Sequence, residues 1–177
     1  MLLPEMQFEY ALLDFKNLHI SKKVQKLLQT QKYTLVKNGN FENVLEEISN
    51  YHETSWLTPK YIKTLQDIRN QKNENFELIS FELITKEDKK LIAGEIGYTI
   101  GKTYTSLTGF LKKTKAYNHC GKLQLVLLAL HLQENNFDFW NLGHASLHYK
   151  LDLGAEVFPR EKFLKRWLKS TKQNQNP

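Results

Sequence analysis

Apolar residues recur along this chain with two different spacings, and these spacings predict where helices and strands form. In 41–51, FENVLEEISNY, they return every three or four residues, as one face of a helix requires. Ser21 and the Thr58-Pro59 pair supply helix starts, because a hydroxyl caps free backbone amides and proline needs no amide hydrogen in the first turn. The predicted helices cover 22–29, 41–51, 59–71, 123–132, 146–153 and 161–169.

Elsewhere the apolar positions alternate or form short runs bounded by turn residues, which is the pattern of strands. Two turns, at Glu87-Asp88 and Gly101-Lys102, link three of these runs into a meander in the middle of the chain. The predicted strands cover 10–15, 33–37, 76–85, 90–100, 102–111, 137–142 and 156–158.

This order of elements predicts a mixed α/β fold, with a mostly antiparallel sheet and helices on both of its faces. No linker or repeat interrupts the body of the chain, so we expect one domain over 1–170 and a flexible tail over 171–177.

Composition narrows the class of protein. The 177 residues are 41% hydrophobic, which is enough for a core. No apolar run is long enough to span a bilayer, and the first ten residues lack the basic start of a secretory signal. Cys120 is the only cysteine, which excludes an internal disulfide and a cysteine-based zinc site. We therefore expect a cytoplasmic protein.

Positive charge is modest in total but grouped along the chain. Lysine and arginine number 25 against 19 acidic residues, and the acids lie mostly between Glu42 and Asp88. This asymmetry suits a polyanionic partner such as RNA, although solvated helix faces give the same pattern. The basic groups are Lys16, Lys22, Lys23 and Lys26; Lys112, Lys113 and Lys115; and Arg160, Lys162, Lys165, Arg166, Lys169 and Lys172.

Two carboxylates lie in the predicted meander. Glu95 projects among small residues of 91–110, LIAGEIGYTIGKTYTSLTGF, and Glu82 lies on the preceding strand. Such a pair could bind an amine, or one member could act as a base; both could instead lie at a solvated sheet edge. On the next strand we expect Tyr104, Ser106, Thr108 and Phe110 to point the same way.

A second polar group follows a short core strand, where Trp140, Asn141 and His144 emerge at its end. Ligands favour this position in open α/β sheets, although His144 could also cap the next helix. The six histidines are scattered without metal-ligand spacing, so no metal site is expected. In 112–121, KKTKAYNHCG, only Gly121 could serve a phosphate-binding loop, which disfavours coenzyme A.

Several short motifs, in order along roughly 10–168, resemble those of the leucyl/phenylalanyl-tRNA–protein transferases, which have the acyl-CoA N-acyltransferase-like fold. Residues 91–101 align without a gap on that family's LVGG-x-YG-x-x-x-G. Other segments also match the family: LHIS at 18–21, LGA at 153–155 and Pro159-Arg160. SWLT at 55–58 corresponds to the family's TWIT, and Lys122 corresponds to the lysine of its ASK motif.

The sequence departs from that family where its chemistry lies. The family's GESMF is SLTGF here, so Leu107 occupies the glutamate position, and its DCQ resembles Asn141-Leu142-Gly143. The family's small N-terminal domain is also expected to be missing. The chain resembles a divergent branch in which the amino acid or the acceptor differs.

The resemblance implies attack by a protein's N-terminal α-amine on the ester of an aminoacyl-tRNA, with no cofactor. It implies that Asn141, helped by Glu95, holds the amine and that Trp56 stacks on the terminal adenosine. The other implied substrate-binding residues are Glu82, Tyr104, Ser106, Thr108, Phe110, Trp140 and His144. The implied RNA-binding residues are Lys112, Lys113, Lys115, Lys122 and Arg160.

Two alternatives stay open. One is an N-acyltransferase that uses acyl-coenzyme A, against which the missing glycine loop counts. The other is a non-catalytic descendant that binds tRNA or protein N-termini, which the altered motifs favour.

Overall fold

The computed structural model describes residues 6–53, 56–71 and 73–172. Ser55 of the SWLT motif and most of the predicted tail, 173–177, lie outside them. The helices are α1 (Lys22–Thr30), α2 (Phe41–Tyr51), α3 (Pro59–Arg69), α4 (Cys120–Glu134), α5 (His148–Asp152) and α6 (Arg160–Thr171). The strands are β1 (Glu9–Leu13), β2 (Tyr33–Lys37), β3 (Phe76–Thr85), β4 (Leu91–Ile100), β5 (Thr103–Leu111), β6 (Phe139–His144) and β7 (Glu156–Pro159).

All seven of these strands join one sheet in the order β2-β3-β4-β5-β6-β1-β7. Every neighbouring pair is antiparallel except β5 and β6, which run parallel. Helices cover both faces of the sheet. The predicted fold class, a mixed α/β fold with a mostly antiparallel sheet, is therefore confirmed.

Side-chain alternation along the strands assigns each helix to a face. On one face, which we call the α4 face, α1 and α4 pack on residues such as Phe81 and Trp140. On the other, the α2 face, α2 and α3 pack on Leu78 and Ile96, and α6 packs on Leu12. In the described part of the chain, no helix is long and apolar enough to cross a membrane.

Local sequence signals account for the ends of the helices. The hydroxyls of Ser21 and Thr58 accept the backbone N–H of the residue three positions later, as the sequence predicts. Gly154 follows α5 with a φ of +102°, and a methyl group there would overlap the Asn17 carbonyl. Only glycine fits that position.

The centre of the sheet opens where β5 and β6 part. They pair only over Thr103–Thr105 and Phe139–Asn141. Past these residues β5 continues along β4, and β6 continues along β1 as far as His144. The two strands therefore diverge and leave a gap in the middle of the sheet, beside the residues that the sequence singled out.

Candidate active site

Glu95 lies in the middle of β4 on the α4 face, where only 6% of it is exposed. Its carboxylate oxygen Oε1 accepts two hydrogen bonds from β5, from the Tyr104 hydroxyl at 2.9 Å and from Ser106 Oγ at 2.7 Å. Ser106 Oγ in turn accepts the indole N–H of Trp140 at 2.8 Å. These four side chains form a network across the three strands at the gap, which we call the Glu95 network.

Two glycines make room for this network. A methyl group at Gly97 would overlap the Tyr104 hydroxyl and come within 2.5 Å of the Thr105 carbonyl oxygen. At Gly109 a methyl group would lie 3.0 Å from Cβ of Glu95. Glycine in a strand interior often marks such a close approach.

Burial shifts the proton equilibria of the network. Burial raises the pKa of Glu95 to about 7, although the hydrogen bonds from Ser106 and Tyr104 oppose the rise. Burial and the Glu95 charge hold the pKa of Tyr104 well above its usual value, so its phenol stays a donor. Tyr149 responds in the same direction, through burial first and the Glu95 charge second, which places it within electrostatic range of Glu95.

The second oxygen of Glu95, Oε2, is the open atom of the network. Among the described residues no group donates a hydrogen bond to it. Oε2 also keeps some contact with solvent. In the described part of the chain, the one fully buried side-chain N or O atom without a hydrogen-bond partner is Nε2 of Gln124. A carboxylate that is anchored through one oxygen and open at the other can meet a ligand.

A β-bulge changes how β5 presents its side chains. Ile96 pairs with Thr108 and Gly97 with Ser106, so Leu107 is an extra residue on β5. Tyr104 and Ser106 therefore face Glu95, whereas Thr108 and Phe110 face α2. The prediction that Tyr104, Ser106, Thr108 and Phe110 point the same way is wrong, because strict alternation does not survive a bulge.

Glu82 lies on the opposite face of the sheet from Glu95. It pairs with Gly94, is 3% exposed, and accepts hydrogen bonds from the backbone of Gly39 at 2.8 Å and from Ser80 Oγ at 2.6 Å. A weaker bond comes from the Asn40 backbone at 3.4 Å. The two carboxylates do not form a shared amine site, and Glu82 instead anchors the start of α2.

Asn141 lies at the gap, but on the α2 face. Its amide nitrogen donates to Thr105 Oγ1 at 3.3 Å and its Oδ1 accepts the Gly143 N–H at 2.9 Å. Trp140, the residue before it, faces Glu95 instead. The structure therefore does not bring Asn141 and Glu95 together to hold one amine. The catalytic role of Asn141 stays a prediction, and its contacts give it a structural role at the end of β6.

His52 contacts β5 on the α2 face, and the sequence reasoning did not single it out. Its Nε2 lies 3.1 Å from the Gly109 carbonyl oxygen and 3.4 Å from Thr108 Oγ1, on the α2 face. It closes α2 a few residues before Trp56, which is 44% exposed and meets Tyr61 edge-on. A polar residue at the end of a predicted helix, next to a matched motif, was the available signal.

The end of β6 is fixed by a buried lysine that the sequence reasoning also missed. Lys150 is 4% exposed, and its Nζ donates to the His144 carbonyl oxygen. Burial lowers the pKa of Lys150. His144 itself is exposed, with Nδ1 3.3 Å from Ser146 Oγ.

The predicted RNA-binding residues differ in whether their side chains already contact other groups of the protein. Lys112 pairs with Glu47 at 3.0 Å, Lys122 pairs with Asp152 at 2.9 Å, and Lys113 lies over the Tyr51 ring. Lys115 is exposed. Arg160 hydrogen-bonds the Gln7 carbonyl and the Tyr10 hydroxyl, which ties the start of α6 to β1.

Two hollows on the described surface differ in how they relate to the predicted site residues. The larger, about 650 Å³, lies where α3 ends against β3 and includes no predicted site residue. The smaller, about 200 Å³, lies between α1, α4 and α5 and is lined by Tyr149, Leu125 and Lys122 among others. Tyr149 lines this smaller cavity, and its pKa responds to burial first and to the Glu95 charge second, so the cavity lies within electrostatic range of Glu95.

Comparisons with solved structures support the fold. The chain is similar to the C-terminal domain of a candidate lysylphosphatidylglycerol synthetase from Agrobacterium fabrum, with a TM-score of 0.57, 14% identity, and coverage of 86% of this chain and 58% of that one. It is also similar to a conserved Staphylococcus epidermidis protein of unknown function, with a TM-score of 0.50, 9% identity, and coverage of 86% and 57%. At these identities the likeness concerns the fold alone.

Sequence comparisons give the family. Proteins named leucyl/phenylalanyl-tRNA–protein transferase are 24% identical in Maridesulfovibrio salexigens, 23% in Flavobacterium johnsoniae and 26% in Proteus mirabilis. The matches cover 86%, 85% and 90% of this chain, and 61%, 68% and 66% of those proteins, so the chain spans about three fifths of the first. The family model described as leucyl/phenylalanyl-tRNA protein transferase matches residues 12–168. The chain therefore belongs to the leucyl/phenylalanyl-tRNA–protein transferase family.

Proposed function

We propose that this chain transfers an aminoacyl group from an aminoacyl-tRNA to the N-terminal α-amine of a protein or peptide. Membership of the family supports the reaction class. The observation that carries the proposal is the gap between β5 and β6 with the Glu95 network at its edge. The tRNA substrate also implies a cytoplasmic setting.

The reaction needs no oxidant, reductant or cofactor. The α-amine nitrogen attacks the ester carbonyl carbon, a C–N bond forms, and the C–O bond to the terminal ribose of the tRNA breaks. The nitrogen loses one proton and the departing ribose oxygen gains one, so the products are an amide and a free tRNA. Since the ester is already activated, positioning and charge stabilisation are the protein's main tasks.

The gap provides a place for the ester. Past Thr105, the edge of β5 that faces β6 has no strand partner within the described residues, so its backbone amides are available to a carbonyl oxygen. Side chains of both faces border this edge: Ser106 of the Glu95 network on one, Thr105 and Asn141 on the other. A substrate in the gap would meet polar groups from two sides.

The surface near the gap suits a polyanion. Lys113 and Lys115 are exposed just after β5, and Lys112 adds a third positive charge. Contacts of lysine with RNA phosphates would supply much of the tRNA affinity and make that affinity depend on salt.

The test is transfer of label from charged tRNA to peptide. We would charge total tRNA with labelled amino acids, add the full chain, and offer peptides with varied first residues. Label should appear in peptides with a free α-amine and not in N-acetylated copies of them. Absence of transfer from every charged tRNA would contradict the proposal.

The contacts of Asn141 favour a second candidate, a non-catalytic binder of tRNA or protein N-termini. Both polar atoms of its amide are engaged within the protein, and a carboxylate would be a better partner for an amine. Tight tRNA binding without transfer, together with transfer only in Asn141→Asp, would favour this candidate.

A further inference from the structure

We propose that the aminoacyl group which this chain accepts has a cationic side chain, such as that of lysine or arginine, and that Glu95 binds the positive charge. The inference rests on the proposed transfer reaction and names the substrate class for it. It departs from the leucyl and phenylalanyl groups in the family's name.

The first step is the chemistry of the site. Every group of the Glu95 network at the gap presents a polar atom: the carboxylate of Glu95, the phenol of Tyr104, the hydroxyl of Ser106 and the indole N–H of Trp140. A pocket for leucine or phenylalanine would need apolar surface there. This site can instead form hydrogen bonds and bind charge.

The second step is to find the atom that lacks a partner. Tyr104 and Ser106 both donate to Oε1 of Glu95, and Ser106 is occupied further by Trp140. Oε2 receives no donor from the described residues and is not sealed from solvent. The described site therefore lacks a hydrogen-bond donor to Oε2. An ammonium or guanidinium group would supply such a donor together with a positive charge.

The third step compares the possible side chains. Glu95 is nine-tenths buried, and a buried carboxylate is costly unless it is paired. A cationic side chain pairs it, an acidic one repels it, and an apolar one removes the remaining water and leaves it unpaired. Sites built around a polar partner reject analogues that lack it far more strongly than apolar pockets discriminate by size.

The fourth step is room. The cavity of about 200 Å³ on the α4 face is lined partly by the apolar side chains of Val24, Leu125 and Val126. Tyr149 lines this cavity and lies within electrostatic range of Glu95. Apolar walls suit the methylene stem of lysine or arginine, whose charged end remains free to reach a carboxylate.

The experiment measures which amino acid is transferred. The full chain and its Glu95→Gln, Glu95→Met and Glu77→Gln variants would each receive tRNA charged with lysine, arginine, leucine, phenylalanine or methionine. Glu77 is the matched control, because it is a glutamate paired with Lys37 away from the gap. Circular dichroism would confirm that each variant is folded.

We expect kcat/KM for lysine or arginine to exceed that for leucine by about 100-fold or more. Glu95→Gln keeps an acceptor for Tyr104 and Ser106 but should remove most of this preference. Glu95→Met should bring leucine or methionine to within about tenfold of lysine. Glu77→Gln should keep the wild-type order.

Other outcomes separate this inference from the proposed function. Preferred transfer of leucine or phenylalanine by the wild type would overturn the inference and leave the transferase intact. Equal transfer of all amino acids by the wild type, with transfer lost in Glu95→Gln, would also overturn it. Glu95 would then bind the α-amine, which all aminoacyl groups share. If no amino acid is transferred, the proposed transferase function is wrong. The inference is then tested by comparing the binding affinities for lysyl-tRNA and leucyl-tRNA, and equal affinities overturn it.

Discussion

Replacing Glu95 by glutamine tests the charge state of the site without any substrate. Glutamine has nearly the same shape, and its oxygen can still accept the hydrogen bonds from Tyr104 and Ser106. Its NH₂ group would take the open position of Oε2. The variant therefore removes the negative charge and little else.

The size of the effect follows from the pKa of Glu95. Below pH 4.5 the carboxyl is protonated in both the folded and the unfolded chain and contributes nothing. Between 4.5 and about 7 the unfolded chain releases its proton while the folded chain keeps it, so the folded state loses stability as pH rises. At about 1.4 kcal/mol per pKa unit, the full penalty above pH 7 is about 3 kcal/mol.

Urea unfolding of both proteins at pH 5 and pH 8 measures this penalty. Glu95→Gln should gain less than about 1 kcal/mol over the wild type at pH 5 and about 3 kcal/mol at pH 8. The gain at pH 8 corresponds to a midpoint higher by about 1–2 M. Equal gains at the two pH values would refute the reasoning, because the charge of Glu95 would then cost nothing.

Glu82→Gln is the matched control, because it replaces a buried glutamate on the other face. Both oxygens of Glu82 accept hydrogen bonds from the protein. The NH₂ group of glutamine would turn a donor toward these donors and cost about 1–2 kcal/mol. At pH 8 the two variants should therefore change stability in opposite directions.

Three further predictions concern packing and charge. Gly97→Ala should lower the free energy of unfolding in urea by about 2–4 kcal/mol, because the new methyl group displaces the Tyr104 hydroxyl. In the control Gly121→Ala the new methyl group lies 3.1 Å from a flexible Leu111 methyl, so stability should change by less than about 1 kcal/mol. Similar values for both variants would contradict this prediction. Gln124→Met should raise stability by about 1 kcal/mol by removing a buried N–H group without a partner, and a loss would argue against it. Neutralising the three lysines after β5 should reduce the slope of tRNA affinity against salt concentration by the equivalent of about two to three phosphate contacts, as measured by filter binding. A larger reduction on neutralising three exposed lysines of α6 would contradict this prediction. The two sets are K112Q/K113Q/K115Q and K162Q/K165Q/K169Q.

The elements of the fold were largely predictable because their signals are local. The helix 41–51 and the strands 33–37 and 76–85 match the structure to the residue, since apolar spacing and turn residues define them. The helix predicted over 123–132 starts three residues earlier and ends two later, as Cys120–Glu134. Its ends lack a capping side chain that the sequence could have shown.

The site was only partly predictable because it depends on pairing between distant strands. The positions of Glu95, Tyr104 and Ser106 followed from the meander. The extra residue at Leu107 did not, because a bulge is set by register against β4 and leaves no mark in the β5 sequence. The separation of Asn141 from Glu95 likewise depends on how β6 pairs with β5, nearly forty residues away along the chain.

The parting of β5 and β6 also bears on how the protein avoids association. Unpaired backbone at the rim of a sheet is a template on which another chain can add a strand and aggregate. Here two such edges lie within the sheet order, between β5 and β6, and α4 contacts both halves of the sheet. The fold can thus keep backbone groups without a strand partner inside its sheet rather than at an outer rim, where a second copy could add a strand.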